Sequence, residues 1–398
     1  MKSIREIYKV GIGPSSSHTM GPAKAAQLFL SSYDGADRYV VTLFGSLALT
    51  GKGHGTDRAL KTVFGSRNLT VVFDEKSLCI HPNTMQFVAL DGSNNVIGQM
   101  QIFSIGGGDI LVAGDTINFG EDVYPHNTFQ QIKAYCIQNG LRLWQYALRF
   151  ENSDITDYLS DVWNVMNRAI EEGLNAEGIL PGGLNVVRRA KALYSDVYKK
   201  ETEQTHDDRI VSAYAFAVGE QNASGGTIVT APTCGSSGVI PAVLRFEAEA
   251  NGFSREQIIR ALLTAGIIGN LVKTDASISG AECGCQAEIG TACAMAAAAL
   301  AELNEMSLDE IEYSAEVALE HHLGLTCDPV NGLVQIPCIE RNAVGAMRAI
   351  NAVSLATFLA DSRKVSLDTV IAAMYQTGKD ISADYRETAV GGLAKVVK

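Results

Sequence analysis

The sequence lacks both a long apolar run and a dense run of basic residues. Its most apolar stretch, near residues 292–301, is far shorter than the roughly 20 residues needed to span a membrane, and residues 1–6 have no apolar core typical of a signal peptide. With 32 Lys and Arg against 44 Asp and Glu, the net charge is -12, which disfavours binding to nucleic acid or to an anionic membrane surface. These absences predict a cytoplasmic protein with no nucleic-acid or membrane partner.

Internal repeats, low-complexity tracts and Pro/Gly/Ser-rich linkers are also absent, so the domains must be found from hydrophobic periodicity. A chain of 398 residues with 46% hydrophobic content is long enough for two cores. Up to about Arg149, short β-branched runs at 39–44 and 69–73 alternate with Gly-rich turns. After Glu151, Ala- and Leu-rich segments carry helical periodicity at 157–173, 209–219, 254–271, 291–305 and 308–321. We therefore predict an α+β N-terminal domain over 1–150, followed by a mostly all-α C-terminal domain over 151–398.

The chain has eight cysteines, and six of them lie in the segment from Cys234 to Cys338. In a cytoplasmic protein such residues are typically buried thiols, metal ligands or redox groups rather than disulfides. Cys285, Cys327 and Cys338 each lie among Gly, Pro or residues at a helix edge, where a thiolate can face a metal. Three thiolates suit an iron–sulfur cluster with one open iron, which can accept a substrate oxygen as a Lewis acid.

Spacing alone does not establish this site, because 42 residues separate Cys285 from Cys327 and 11 separate Cys327 from Cys338. Buried free thiols and a structural zinc site remain alternatives. Either Cys234, in a Gly/Ser loop, or Cys283 can be a fourth or substitute ligand.

Several motifs along the chain can be compared with known families. The segments are SISGAE at 277–282, GCQ at 284–286, LGLTCDP at 323–329 and PCIERN at 337–342. Together they closely resemble the α domain of the bacterial iron–sulfur L-serine dehydratase family. The opening of its β domain is resembled by VGIGPSSSHT at 10–19. Further matches are GHGTD at 53–57, HPN at 81–83, SIGGG at 104–108 and TAPT at 230–233. The resemblance covers nearly the whole chain in the expected order.

This resemblance implies a β domain followed by an α domain in one chain, assembly into homodimers, and a 4Fe-4S cluster bound by Cys285, Cys327 and Cys338. It implies deamination of L-serine to pyruvate and ammonia through an aminoacrylate, without pyridoxal phosphate, in amino-acid catabolism that feeds gluconeogenesis.

The sequence departs from the family pattern in two ways. No cysteine follows Cys338, so a tail cysteine cannot reach back to the open iron. The resemblance also leads us to expect Asn at the position of Cys234, and this difference affects the expected substrate contacts in that loop.

Eliminating water from serine requires a base for the proton on the α-carbon, and histidine has a suitable intrinsic pKa. His18, His54 and His81 all lie in polar or Gly-rich loops. The resemblance favours His54 and His81 as the catalytic acid/base residues, with Asn83 as a hydrogen-bond partner. Structural histidines are the alternative.

The substrate carboxylate is predicted to bind hydroxyl and N–H groups just before the helix that begins near Gly21. A simple helix N-cap is the alternative for this segment. Arg341 is a further candidate for the carboxylate, or else pairs near Glu340. The predicted substrate-binding residues are Ser15, Ser16, Ser17, His18, Thr19 and Arg341.

Three other functions compete with this interpretation. A lyase of the same architecture can act on L-threonine or L-cysteine, because a methyl group or a sulfur changes the fit only modestly. A pyridoxal phosphate lyase needs a Schiff-base lysine, and no lysine here has a suggestive context. A redox sensor would use the cysteines alone, and it would have no need for histidine-bearing loops.

Overall fold

The computed structural model describes residues 1–114, 122–195 and 200–397. Its N-terminal part contains a five-stranded sheet in the order β3-β2-β4-β5-β6, with β2 and β3 parallel and the other neighbours antiparallel. The strands are β1 (Val10–Ile12), β2 (Arg38–Phe44), β3 (Leu69–Asp74), β4 (Thr84–Leu90), β5 (Val96–Gly106), β6 (Asp109–Val112) and β7 (Thr227–Val229). Side chains in β2 alternate, with Tyr39, Val41 and Leu43 fully buried, as expected for a strand with one face on the core.

Three helices accompany this sheet, namely α1 (Gly21–Tyr33), α2 (Ser46–Thr50) and α3 (Thr56–Phe64). Helices α1 and α3 supply Phe29, Leu60 and Phe64 to the core beneath the sheet. A π-helical turn, Ser16–Met20, leads directly into α1.

The strand register brings several predicted loops to one edge of the sheet. Leu43 of β2 pairs with Met85 of β4, and Thr84 pairs with Phe103 of β5. The end of β2, the start of β4 and the end of β5 therefore lie side by side. The segments 45–55, 81–83 and 104–108 extend from this edge, which explains how distant motifs converge.

In the rest of the described chain, the regular elements are helices except for β7, and loops connect them. Its helices are α4 (Phe129–Asn139), α5 (Leu143–Phe150), α6 (Ile155–Asn175), α7 (Ala190–Ser195), α8 (Glu203–Ala223), α9 (Val239–Asn251), α10 (Arg255–Asp275), α11 (Gly280–Cys283), α12 (Thr291–Leu303), α13 (Leu308–Glu320), α14 (Cys338–Leu359), α15 (Leu367–Asp380) and α16 (Gly392–Val396). Every residue of α12 is buried, because α9, α10, α13 and α14 surround it. The predicted fold class, α+β and then mostly all-α, is confirmed.

The two parts are joined by more than one connection. Strand β1 pairs with β7 of the helical part, and residues Met1, Ile4 and Ile7 lie in the helical core. Helices α4 and α5 also contribute to that core. The division of the chain near residue 150 stays a prediction.

By length and composition, one helical segment of the described chain, Cys338–Ser362, is apolar enough to cross a membrane. The stretch at residues 292–301, which the sequence indicated as the most apolar, lies in α12 instead. This segment includes α14, whose buried face packs against α8, α12 and α13, so it has the contacts of a core helix.

Candidate active site

The three predicted cysteine ligands line one buried cavity between the sheet edge and the helical part. Cys285 precedes the π-helical turn Gln286–Gly290, Cys327 lies in the loop after α13, and Cys338 is the first residue of α14. Pro14, Ser15 and His54 of the N-terminal part line the same cavity. Tertiary structure thus brings together thiols that are far apart in sequence.

Two of these thiols interact directly. A hydrogen bond from the Cys327 thiol lowers the pKa of Cys285 to about 6, against the effect of burial, and the Arg341 guanidinium adds to this lowering. The same bond and burial raise the pKa of Cys327, while burial raises that of Cys338. Cys285 is therefore the thiol most readily ionised for metal binding.

Small residues leave room beside these thiols. A methyl group on Gly280 would lie 2.6 Å from Glu288 Oε2 and 3.1 Å from Cys327 Sγ. Gly235 likewise faces Glu288, with 3.4 Å to Oε1. Sulfur ligands, a buried cavity and flanking glycines fit a thiolate-bound iron group.

The other two cysteines considered as ligands face elsewhere. Cys234 Sγ lies 3.5 Å from Met20 Sδ. Cys283 packs against α15, where a methyl group on Gly378 would lie 2.6 Å from its Sγ. Neither thiol is among the groups that line the cavity.

A second cluster, formed by His18, His54 and Glu387, adjoins the cysteines. Glu387 Oε1 lies 3.5 Å from His18 Nδ1 and 3.6 Å from His54 Nε2. One ligand atom from each residue lies within 4.8 Å of the others, so the cluster can in principle hold a metal ion. Burial, together with Glu288 and Cys285, raises the pKa of Glu387 well above its ordinary value.

The hydrogen bonds of the two histidines give them different properties. Both ring nitrogens of His18 face hydroxyls, Ser17 Oγ and Ser46 Oγ, each at 3.0 Å. His54 Nδ1 lies 3.0 Å from the carbonyl of Thr50. A carbonyl can only accept, so Nδ1 carries the hydrogen and Nε2 presents a lone pair. Burial lowers the pKa of His54 to about 4, although the bond to Thr50 opposes this, and the ring is therefore neutral at pH 7.

His81 lies in a neighbouring cleft with Glu282 and Arg386, and it is not among the groups that line the cysteine cavity. Its Nε2 is 3.3 Å from Glu282 Oε1, and its Nδ1 accepts the N–H of Asn83 at 3.1 Å. Asn83 donates to the carbonyl of Ser104, and its buried Oδ1 has no partner within the described chain. The structure therefore brings His54, but not His81, to the thiols.

The segment 15–19 combines both roles considered from sequence. Ser15 Oγ caps the π-helical turn by accepting the N–H of His18 at 3.1 Å, and Thr19 Oγ1 donates to the carbonyl of His54 at 2.9 Å. The N–H groups of Ser16 and Ser17 have no acceptor within the described residues. These donors begin the helical segment that continues into α1, and they are suited to an anion.

Arg341 is engaged by the loop that carries Cys327. Its guanidinium donates to the carbonyl of Thr326 at 2.7 Å and to Asp328 Oδ1 at 3.0 Å. Asp328 Oδ2 in turn accepts the N–H of Leu393 in the C-terminal tail. These contacts stabilise the cysteine loop, and they replace the pairing with Glu340 that sequence suggested as an alternative.

Two cavity residues were missed from sequence. Glu288 follows Cys285 by one helical turn, and that spacing was a usable signal. Glu387 lies in a polar tail, 49 residues after Cys338, and its only local signal is the glycine pair at 391–392.

Comparisons with known proteins identify the family of the chain. Residues 3–67 match the family described as serine dehydratase beta chain, and residues 85–394 match serine dehydratase alpha chain. The chain is 40% identical to an L-serine dehydratase of Haemophilus influenzae, with 99% of both chains covered. It is 41% identical to L-serine dehydratase 2 of Escherichia coli over 99% of this chain and 98% of that one. An L-serine dehydratase of Streptomyces coelicolor is 39% identical, with 98% of each chain covered. The chain thus belongs to the serine dehydratase family, with the beta-chain region preceding the alpha-chain region in one polypeptide.

Proposed function

We propose that this protein is an L-serine ammonia-lyase that eliminates water from L-serine and releases pyruvate and ammonia through an aminoacrylate. The observation that carries the proposal is the shared cavity, in which three cysteines and a neutral buried histidine meet. The names of the relatives support serine as the substrate.

We propose that Cys285, Cys327 and Cys338 bind a 4Fe-4S cluster. The sulfur donor set and the small residue Gly280 beside Cys327 support this assignment. When bound, such a cluster supplies a Lewis-acidic iron for the substrate hydroxyl, which is a poor leaving group. Arg341 keeps the Cys327 loop in place through Thr326 and Asp328, so we assign it a positioning role rather than a substrate contact.

His54 is the general base in this proposal. Its tautomer leaves the Nε2 lone pair free to take the proton from the α-carbon. The imidazolium that forms lies 3.6 Å from the Glu387 carboxyl group, and its positive charge favours the ionised form of that group, which in turn stabilises the imidazolium. His18 packs against this base, since its ring centroid lies 4.5 Å from that of His54.

The remaining predicted residues take supporting roles. The free N–H groups of Ser16 and Ser17 bind the substrate carboxylate, while Ser15 and Thr19 fix the turn that presents them. His81 acts from the neighbouring cleft, and the fully buried Asn83 positions it by donating its backbone N–H to Nδ1 of the ring.

The test is pyruvate formation from L-serine by anaerobically purified protein that has been reconstituted with iron and sulfide. We expect activity and a broad visible absorbance that are both lost in Cys327→Ala. The matched control is Cys293→Ala, because this thiol is buried inside α12 and away from the cavity. An intact cluster without pyruvate would direct the search to L-threonine or L-cysteine. Wild-type protein without a cluster would show that the ligand assignment is wrong.

We also propose that the enzyme works in the cytoplasm as a homodimer, where its pyruvate feeds gluconeogenesis. The outer side of α14 exposes Val344 and Phe358, and an apolar surface of this kind is suited to a second copy. Sedimentation velocity should give twice the mass of the chain, and a monomer would contradict the assembly.

A further inference from the structure

Glu387 is fixed in the cavity by the backbone of the cysteine loop. The N–H of Cys327 donates to the carbonyl of Tyr385, and the N–H of Glu387 donates to the carbonyl of Cys327, both at 2.8 Å. The carbonyl of Glu387 accepts from Ser46 Oγ at 2.5 Å. Contacts from both parts of the protein thus hold the backbone of Glu387 at the cavity.

The two oxygens of the Glu387 carboxyl group have different surroundings. Oε1 lies between His18 and His54. Oε2 is buried and has no hydrogen-bond partner within the described chain. The residue is only 5% exposed, and it lines the cavity. Burying a carboxylate oxygen without a hydrogen-bond partner is costly. In native proteins such an atom is usually satisfied by water, an ion or a bound ligand.

Several groups that line the cavity are acidic, and a bound cation would stabilise their ionised forms. Its lining includes two carboxyl groups, those of Glu288 and Glu387, together with the three thiols. The nearby cation, Arg341, already donates hydrogen bonds to Thr326 and Asp328. An amino acid carries a single cationic group, its ammonium, which is a strong donor to a carboxylate.

We propose that Glu387 Oε2 accepts a hydrogen bond from the α-ammonium group of the substrate. This inference rests on the proposed function and specifies how the same site selects its substrate. The carboxylate then lies at the N–H groups of Ser16 and Ser17, and the α-carbon faces His54. Three points of attachment fix the L-enantiomer, and Glu387 distinguishes amino acids from hydroxy acids.

The experiment uses calorimetry on the reconstituted protein, with L-serine and glycerate as the probes. The heat of binding gives the affinity for glycerate, and the concentration dependence of the heat of turnover, or the heat of binding where no turnover occurs, gives the apparent affinity for L-serine. Glycerate keeps the carboxylate and the terminal hydroxyl of serine, but has a hydroxyl in place of the ammonium. We expect Glu387→Gln to weaken L-serine binding about 100-fold and to change glycerate binding less than about threefold, because only serine loses a charge-assisted bond. The iron content should stay that of the wild type. Glu247→Gln, a buried glutamate on α9 that bonds Asn251, is the matched control and should change neither affinity.

Several outcomes would overturn the inference. Equal weakening of both probes would mean that Glu387 only shapes the site, and loss of iron would make it a metal ligand instead. If the variant does not fold, the wild type still decides, since similar affinities for L-serine and glycerate would rule out the ammonium contact. Serine binding without pyruvate formation would refute the proposed function but leave the contact standing. Pyruvate formation with unchanged serine affinity in Glu387→Gln would refute only the contact.

Discussion

Replacing Gly280 by alanine should weaken iron binding without unfolding the protein. The added methyl group would lie 2.6 Å from Glu288 Oε2 and 3.1 Å from Cys327 Sγ. Glu288 cannot easily withdraw, because its Oε1 accepts the Thr233 hydroxyl at 2.7 Å. Overpacking of this kind costs about 1–3 kcal/mol. Iron ligation would keep Cys327 Sγ from moving away from the added methyl group, so the strain falls on the metal-bound state. Iron binding should then weaken on the order of 10- to 100-fold.

The assay is iron retention against a graded series of chelator concentrations, combined with thermal unfolding of the iron-free protein. Gly35→Ala is the control, since a methyl group there meets nothing within 4 Å. We expect the control to retain iron like the wild type, whereas Gly280→Ala releases it at lower chelator concentration. Identical chelator curves for all three proteins would show that the space beside Cys327 is not tight, and the packing argument would fail.

Two further predictions concern stability and pH. Asp109 of β6 contacts Lys9 at 2.5 Å and Lys273 of α10 at 2.7 Å, and the lysines lower its pKa against the effect of burial. Asp109→Asn should therefore lower the free energy of unfolding by about 2–3 kcal/mol at pH 7. Urea titrations should show this difference shrinking as the pH falls below about 4, because the carboxylate becomes protonated. A difference that does not change with pH would contradict the link between this ionisation and stability. Burial and the nearby Glu320 raise the pKa of Glu316 to about 7, so its favourable contribution is complete below pH 4.5 and is lost as the pH rises through 7. Glu316→Gln should raise the free energy of unfolding by about 2 kcal/mol at pH 8 and leave it unchanged near pH 4.5, and equal stability of the two proteins at pH 8 would contradict this.

Local pattern was sufficient for much of the fold. The alternation in residues 39–44 predicted β2, and the helical periodicity of 254–271 predicted most of α10, because both signals depend on which face of an element is buried. The bounds of these elements moved by a few residues, since capping decides where a helix ends. Ser254, for example, caps α10 by accepting the N–H of Gln257.

The candidate site was less accessible to such reasoning. Cys285, Cys327 and Cys338 have no spacing that would mark a ligand set, and motif resemblance rather than periodicity singled them out. His54 and His81 had equal standing in the sequence, whereas the structure places only His54 beside the thiols. No local signal links the tail residue Glu387 to His18, because their contact depends on how the tail crosses the sheet edge.

The sequence by itself determined the order of the two parts, the positions of their main elements and the residue types available for chemistry. These properties follow from short-range periodicity and from the side chains themselves. Tertiary structure decided which of those side chains act together. The β2–β4–β5 register brings the loops to one edge, and the pairing of Cys327 with the tail delivers Glu387 to that edge. Contacts between residues far apart in the chain depend on the packing of whole elements, so no local pattern could have specified them.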